Sequence, residues 1–326
     1  MESFAGKRAV VTGGGSGMGR ELVIQLAAQG CSVATCDVHP AGLAETLSRA
    51  EDRAAEGVRV TTHICDVSDE ENVLAFRDQC SSSHGDVTEL LFNNAGIGGG
   101  GSFVAGSRED WERTFSVDWW GVYYCTRAFL PSLIRARAAH LVNTSSVNGF
   151  WASIGPGIPH TAYSTAKFAV KGFSEALIED LRVNAPHVKV SVVMPGHIGT
   201  DIIANSRRYF GRAEPDALSE SELDKTREHL ARRGVPVGEL SYDQLRGAMK
   251  MIEEVFRSNA PLDAAGAATM ILDGVRAGNW RILVGEDAHR LDEQVRADPE
   301  AAYEHDRVGI SSLLMGAAMQ DKPPVS

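Results

Sequence analysis

Apolar residues along this chain gather in short runs, and seven of these read as strands: Ala9–Thr12, Ser32–Cys36, Arg59–Cys65, Glu89–Asn93, His140–Ser145, Lys189–Met194 and Arg281–Val284. None alternates strictly between apolar and polar, which is the pattern of strands covered on both faces. Between them, Gly19–Gln29 and Ala162–Asn184 carry the 3.6-residue period of amphipathic helices, and Pro186 marks the end of the second. Strands alternating with helices predict a doubly wound parallel α/β sheet with crossover helices, folded as one domain. There is no internal repeat, and only residues 320–326 read as a loose tail.

Composition narrows the function. With 326 residues, 43% of them hydrophobic and 23% charged, the chain can bury a large core, which excludes disorder and a disulfide-stapled miniprotein. Lys and Arg number 32 against 43 Asp and Glu, a net charge of −11 that argues against nucleic acid and anionic membrane as partners. A small-molecule substrate is the better expectation. The N-terminal residues form no signal-peptide core and no run approaches membrane-spanning length, so a cytoplasmic location is expected. Five cysteines, all within the first 125 residues and without a CxxC pair, read as buried thiols in a reducing compartment. The ten histidines show no HExxH pattern and give no metal site.

The first strand runs into Thr12-Gly13-Gly14-Gly15-Ser16-Gly17-Met18-Gly19, with a helix beginning near Arg20. A glycine string alone marks a flexible turn. Between strand and helix it lets backbone N–H groups approach a pyrophosphate, with the partial positive charge of the helix N-terminus behind them. Asp37 closes the second strand, 18 residues beyond Gly19, where a carboxylate can accept from adenosine ribose hydroxyls.

Further motifs follow each strand in turn: Asp66-Val67, Asn93-Asn94-Ala95-Gly96, Val142-Asn143-Thr144-Ser145-Ser146, then Tyr163-Ser164-Thr165-Ala166-Lys167 on a helix, and Pro195-Gly196-His197-Ile198-Gly199-Thr200. Together with the Thr-Gly-x-x-x-Gly-x-Gly loop, these six motifs over Arg8 to Asp201 resemble the classical short-chain dehydrogenase/reductase family. The resemblance implies a Rossmann-like fold. It also implies a nicotinamide cofactor lined by Gly13, Ser16, Gly17, Met18, Gly19, Asp37, Val38, Asp66, Val67, Asn94, Ala95, Gly96, Tyr163, Lys167, Pro195, Gly196, Ile198 and Thr200. Ser16 and Val38 stand where an NADP-binding loop offers a basic residue, so NAD is the expected cofactor. Arg20 and His39 are the nearest candidates to offset a phosphate charge, but Arg20 is expected to run along its own helix and His39 to be largely neutral at pH 7.

Tyr163 and Lys167 are spaced i, i+4, on one helix face. Oxidising an alcohol requires a base, and a free tyrosine, with a pKa of about 10, is mostly protonated at neutral pH. The lysine ammonium is expected to favour the phenolate, by up to ~4 kcal/mol at ~4 Å and an effective dielectric of ~20 before desolvation. By resemblance Lys167 also holds the nicotinamide ribose. Ser146 aligns with the family's catalytic serine and would stabilise the substrate oxygen, with Ser145 its rival. The 17 residues from Ser146 to Tyr163 imply a slightly enlarged loop. One position departs from the pattern: Asp118 stands in place of the usual asparagine. Either its shape suffices for the proton relay, the reading favoured here, or the protein is a weak catalyst or an NAD(H)-binding module.

Phe150, Trp151, Ile154, Pro156 and Ile158 could wall an apolar substrate pocket. Residues 201–261, with helical segments at Ser219–Arg233 and Tyr242–Arg257, take the place of the family's substrate lid, enlarged here. The expected activity is therefore NAD-dependent oxidation of a fairly bulky secondary alcohol or reduction of the ketone. An NADP-dependent reductase of the same fold is the alternative within the class. The helix around Trp111–Leu133 carries Trp119, Trp120, Val122, Tyr123, Tyr124, Phe129 and Leu130, more apolar surface than one sheet contact buries. By resemblance this helix contributes to a homodimer or homotetramer.

Overall fold

A computed structural model describes residues 1–155, 158–232 and 237–304. In chain order the first half runs β1 (Arg8–Thr12), α1 (Gly17–Ala28), β2 (Ser32–Asp37), α2 (Pro40–Glu51), β3 (Val60–Ile64), α3 (Glu70–His84), β4 (Leu90–Asn93), α4 (Arg108–Phe115), α5 (Gly121–Ile134) and β5 (Ala139–Thr144). The second half runs α6 (Thr161–Asn184), β6 (Val188–Pro195), β7 (Ile198–Gly199), α7 (Ile202–Tyr209), α8 (Glu220–Arg232), α9 (Tyr242–Ser258), β8 (Leu262–Asp263), α10 (Ala264–Ala277), β9 (Arg281–Val284) and α11 (Glu286–Ala297).

Among the described residues the main sheet has seven strands in the order β3-β2-β1-β4-β5-β6-β9, every pairing parallel. The strand order reverses between β1 and β4, and such a switch point opens a crevice at the carboxyl ends of the strands. Successive residues of a strand point to opposite faces, which divides the core in two. Val11, Val33, Phe92, Val142 and Val193 pack with Leu22, Leu26, Ile271 and Leu272 of α1 and α10. Val10, Ala34, Leu91, Leu141 and Val190 pack with Phe76, Phe129, Leu133 and Leu177 of α3, α5 and α6. Apolar burial on both sides accounts for the missing alternation in the sequence.

The sequence expectations miss by one residue at most strand ends and agree at β9. The larger difference is at α1, which begins at Gly17 rather than near Arg20. The last glycines of the loop already form its first turn, so their N–H groups are among the four without an intrahelical partner. The helix expected over Trp111–Leu133 is also built differently. α4 and α5 are joined by a π turn at Ser116–Trp120, closed by the Gly121 N–H donating to the Ser116 carbonyl. A π turn inserts one extra residue into a helix and favours functional sites; Asp118 sits in the middle of this one.

α7, α8 and α9 lie within residues 201–261, the stretch expected as a lid. α8 and α9 share a small core of Leu223, Val237 and Leu245, and a capping box opens α9, the Ser241 side chain accepting from Gln244 N–H and the Gln244 side chain from Ser241 N–H. Pro156 and the tail at residues 320–326 lie outside the described residues.

Candidate active site

The glycine loop is shaped by contacts that only glycine allows. Gly13 has φ +72°, and a Cβ there would press on Ala95 Cα. At Gly19 a Cβ would overlap the Gly13 carbonyl oxygen. Ser16, the N-cap of α1, makes no side-chain cap hydrogen bond, and the first turn carries no acidic residue. Gly17, Met18 and Gly19 thus present a positive helix terminus that a pyrophosphate fits. Thr12 fixes the loop against β4: its Oγ1 accepts from the N–H groups of Asn94 and Ala95, both at 3.0 Å, and Asn94 Nδ2 donates back to the Thr12 carbonyl.

Asp37 lies at the rim of this loop. Its Oδ2 accepts from Gly15 N–H at 2.9 Å and its Oδ1 from His39 N–H at 3.0 Å, leaving lone pairs on both oxygens for a diol. Arg20 does not run along α1 as expected. Its guanidinium crosses to α2, donating to the Gly15 carbonyl at 2.6 Å, to Thr46 Oγ1 at 3.0 Å and to Glu45. The loop carbonyl and Glu45 together offer it more acceptors than its own helix does. His39 caps α2, its Nδ1 accepting from Gly42 N–H. Both side chains are therefore committed to structural contacts.

Three elements bring the remaining groups together at the carboxyl edge of the sheet. Tyr163 and Lys167 stand on the first turns of α6, Ser146 follows β5, and Asp118 reaches in from the π turn. Ser145 Oγ donates to the Lys167 carbonyl at 2.7 Å, tying β5 to the helix, and this leaves Ser146 to face Tyr163. Ser146 Oγ also accepts from Asn148 N–H, which caps the short 3-10 turn that follows. Lys167 Nζ lies 2.9 Å from Asp118 Oδ1, donates to the Thr144 carbonyl at 3.2 Å, and sits 5.3 Å from the centroid of the Tyr163 ring. Asp118 is fully buried; Oδ1 also accepts from Ile97 N–H, whereas Oδ2 has no hydrogen-bond partner. The His160 ring packs against that of Tyr163 at 4.6 Å.

These contacts set the proton affinities. Burial pushes the Tyr163 phenol up, Lys167 pulls it down, Asp118 pushes it up again and the Ser146 hydrogen bond lowers it. The net direction is upward: Lys167 pulls down as expected, but burial, which stands outside the lysine contribution, and Asp118 outweigh it. Burial also pushes the Asp118 carboxyl up, further than Lys167 pulls it down. For Lys167, burial disfavours the ammonium, but Asp118 and then Tyr163 outweigh that and hold it above its ordinary value.

Part of the site was not legible in the motifs. α7 reaches three of the motif loops: Asn205 Nδ2 donates to Ser16 Oγ at 2.9 Å, Ser206 Oγ accepts from Gly98 N–H at 2.8 Å, and Tyr209 Oη donates to Asp66 Oδ2 at 3.1 Å. Thr200 packs over Gly17, and Val67 against Gly121. Buried Asp287 on α11 accepts from His197 N–H at 2.6 Å and fills the space beside Gly196, fixing the turn after Pro195; Ile198 begins the short β7–β8 pair.

The expected apolar wall is only partly available. Trp151 is fully buried, its Nε1 donating to the Ala302 carbonyl at 2.7 Å, and it packs with Phe150, Ala288 and Leu291. These two aromatics anchor the C-terminal segment rather than wall a pocket; Ile154 and Ile158 remain half-buried. A separate cavity of about 260 Å³ lies between α7 and α9, lined in part by Lys250, Glu253, Glu254 and Arg257; none of the residues expected to wall an apolar pocket lines it.

Comparison with known proteins agrees with this geometry. The profile of the short chain dehydrogenase family matches residues 7–209. SadH of Mycobacterium tuberculosis, named as an oxidoreductase, is 42% identical over 297 residues, covering 91% of this chain and 92% of its own. Human epidermal retinol dehydrogenase 2 is 35% identical over 61% of this chain and 62% of its own. The crystal structure of a short chain dehydrogenase/reductase from Burkholderia phymatum in complex with NAD is 27% identical, covers both chains completely and superposes with a TM-score of 0.72. A metagenomic short-chain oxidoreductase in complex with NADP is 30% identical over 59% of this chain and 83% of its own, with a TM-score of 0.52. With the family profile spanning most of the sheet and a relative matched along nearly the whole chain, this protein belongs to the short-chain dehydrogenase/reductase family of oxidoreductases.

Proposed function

We propose that the protein is an NAD-dependent oxidoreductase interconverting a secondary alcohol and its ketone. The observation that supports this reading most is the convergence of buried Ser146 and Lys167 on half-buried Tyr163 beside a helix N-terminus that no side chain caps. Bound NAD would supply the acceptor for a hydride, and the chain supplies position and the proton. Gly17, Met18 and Gly19 would hold the pyrophosphate, Asp37 the adenosine ribose, and Asp66 with Val67 the adenine. Asn94, Ala95, Gly96 and Pro195 to Thr200 would border the nicotinamide half. Ser146 would donate to the substrate oxygen while Tyr163 takes or gives its proton, and Lys167 would orient the ribose.

Cofactor choice supplies the test. A 2′-phosphate beside Asp37 would meet a carboxylate, with Arg20 already bound to Gly15 and Glu45. Like-charge juxtaposition costs several kcal/mol, so kcat/KM should favour NAD over NADP by about a hundredfold or more. Asp37→Ser combined with Val38→Arg should narrow or reverse that ratio through a charge-assisted contact to the phosphate. Equal or better use of NADP by the parent overturns the assignment of Asp37.

A symmetric dimer or tetramer is part of the same proposal. Val122 and Phe129 are buried in the core, but Trp119, Trp120, Tyr123 and Tyr124 form an aromatic patch with Phe173, and Trp120 and Phe168 are exposed on adjoining helices. Light scattering at micromolar concentration should give a multiple of the 35.0 kDa chain mass; a monomeric mass would rule the assembly out.

A further inference from the structure

We propose that Asp118 is a positioning residue that acts through Lys167. By pairing with the ammonium it cancels the cation that would otherwise draw the proton from Tyr163, so the site rests with a neutral phenol, tuned to reduce a carbonyl compound. The inference rests on the reading of Tyr163 as the acid/base group. The carboxylate lies 2.9 Å from Lys167 Nζ, both groups are buried, and no other acidic side chain meets that ammonium among the described contacts. An ion pair of net zero charge stabilises a neighbouring phenolate far less than a lone ammonium does. The asparagine of the family pattern would leave the lysine charge uncompensated.

The groups facing the Tyr163 hydroxyl and ring come from four places: Lys167 on the same helix, Asp118 on the π turn, Ser146 after β5, and His160 at the helix cap. Of these, Asp118 and burial oppose ionisation, and their sum exceeds the opposing pull. In the reductive direction the carbonyl carbon gains a hydride from reduced nicotinamide and the C=O π bond opens. The oxygen takes the Tyr163 proton to become the alcohol, and the phenolate then recovers a proton from solvent. A phenol that stays protonated serves this direction over the whole neutral range; oxidation needs the phenolate and should rise only toward alkaline pH.

Two measurements on Asp118→Asn test this. Tyrosinate absorbance of the protein alone, taken as the difference from the same background carrying Tyr163→Phe, should show the Tyr163 titration moving to lower pH. The pH profile of alcohol oxidation should move the same way, raising kcat/KM at neutral pH on the order of tenfold, since one unit is tenfold in the ionised fraction. Asp118→Ser should move both in the same direction, which covers poor folding of either variant. A role confined to shape would lower turnover without displacing either curve, and unmoved curves in the folded variants overturn the proposal. So does loss of the alkaline rise in His160→Asn, which would assign the titration to the histidine. If the absorbance titration moves but Tyr163→Phe remains active, the Asp118 effect stands and the acid/base reading fails.

Discussion

Tyr163→Phe is expected to lower kcat by about a hundred- to ten-thousandfold, the range contributed by a positioned acid/base group, while NAD binding stays close to that of the parent. The substitution removes one oxygen from a half-buried ring whose packing against His160 and beneath Lys167 Nζ is unchanged. Ser146 loses one partner but keeps the Asn148 N–H as donor, so the turn after β5 should hold. Folding is therefore not expected to limit the measurement. Steady-state turnover of a hydrophobic secondary alcohol, alongside cofactor binding by fluorescence, provides the comparison. Activity within a few-fold of the parent would remove Tyr163 from the mechanism.

The second large effect belongs to Lys167→Met. The ammonium is the ion-pair partner of fully buried Asp118, and removing one member of a buried pair typically costs 3–5 kcal/mol because the remaining charge is stranded. Turnover should collapse as well, but the distinguishing result is in stability. In the variant, burial acts on Asp118 without an opposing cation, so its folded pKa lies above the unfolded one. Stability is then fully present below the unfolded pKa and lost as pH rises through the folded one. Denaturant unfolding should show the smallest deficit in acid and the largest at neutral pH, and adding Asp118→Asn should recover most of it. An unfolding free energy equal to the parent's at neutral pH would mean the pair carries no such coupling.

Much of the fold could be read from local signals. Strands buried on both faces leave continuous apolar runs, and loops that must pass close to neighbouring backbone leave glycines, so β1 with its loop and β9 are plain in the chain. The motifs mark where Tyr163, Lys167 and Ser146 converge. Contacts between distant segments leave no comparable trace. Asp287 holds the turn after Pro195 from 90 residues away, and Trp151 reaches Ala302 across 151. Neither partner has a spacing to betray it. The net Tyr163 shift escapes the sequence for a related reason: helical spacing places Lys167 beside the phenol, but says nothing of the desolvation there or of which side chain arrives from another helix. Arg20 was misjudged because its acceptors lie on α2 and in the folded loop.

The π turn at Ser116–Trp120 has a consequence for how this chain can change length. One residue advances a regular helix by about 100° of rotation. Before the turn, Trp111 stacks on Phe115 and donates to Thr161 Oγ1; at its end, Trp120 stacks on Tyr124 while Trp119 and Tyr123 meet Phe173 of α6. The extra residue keeps both registers at once. A single-residue deletion here would give a more regular helix, yet it would swing either the Trp111 side or the Trp120 side out of place and draw Asp118 away from Lys167. Along this helix, lineages descended from the protein are freer to exchange side chains than to gain or lose a position.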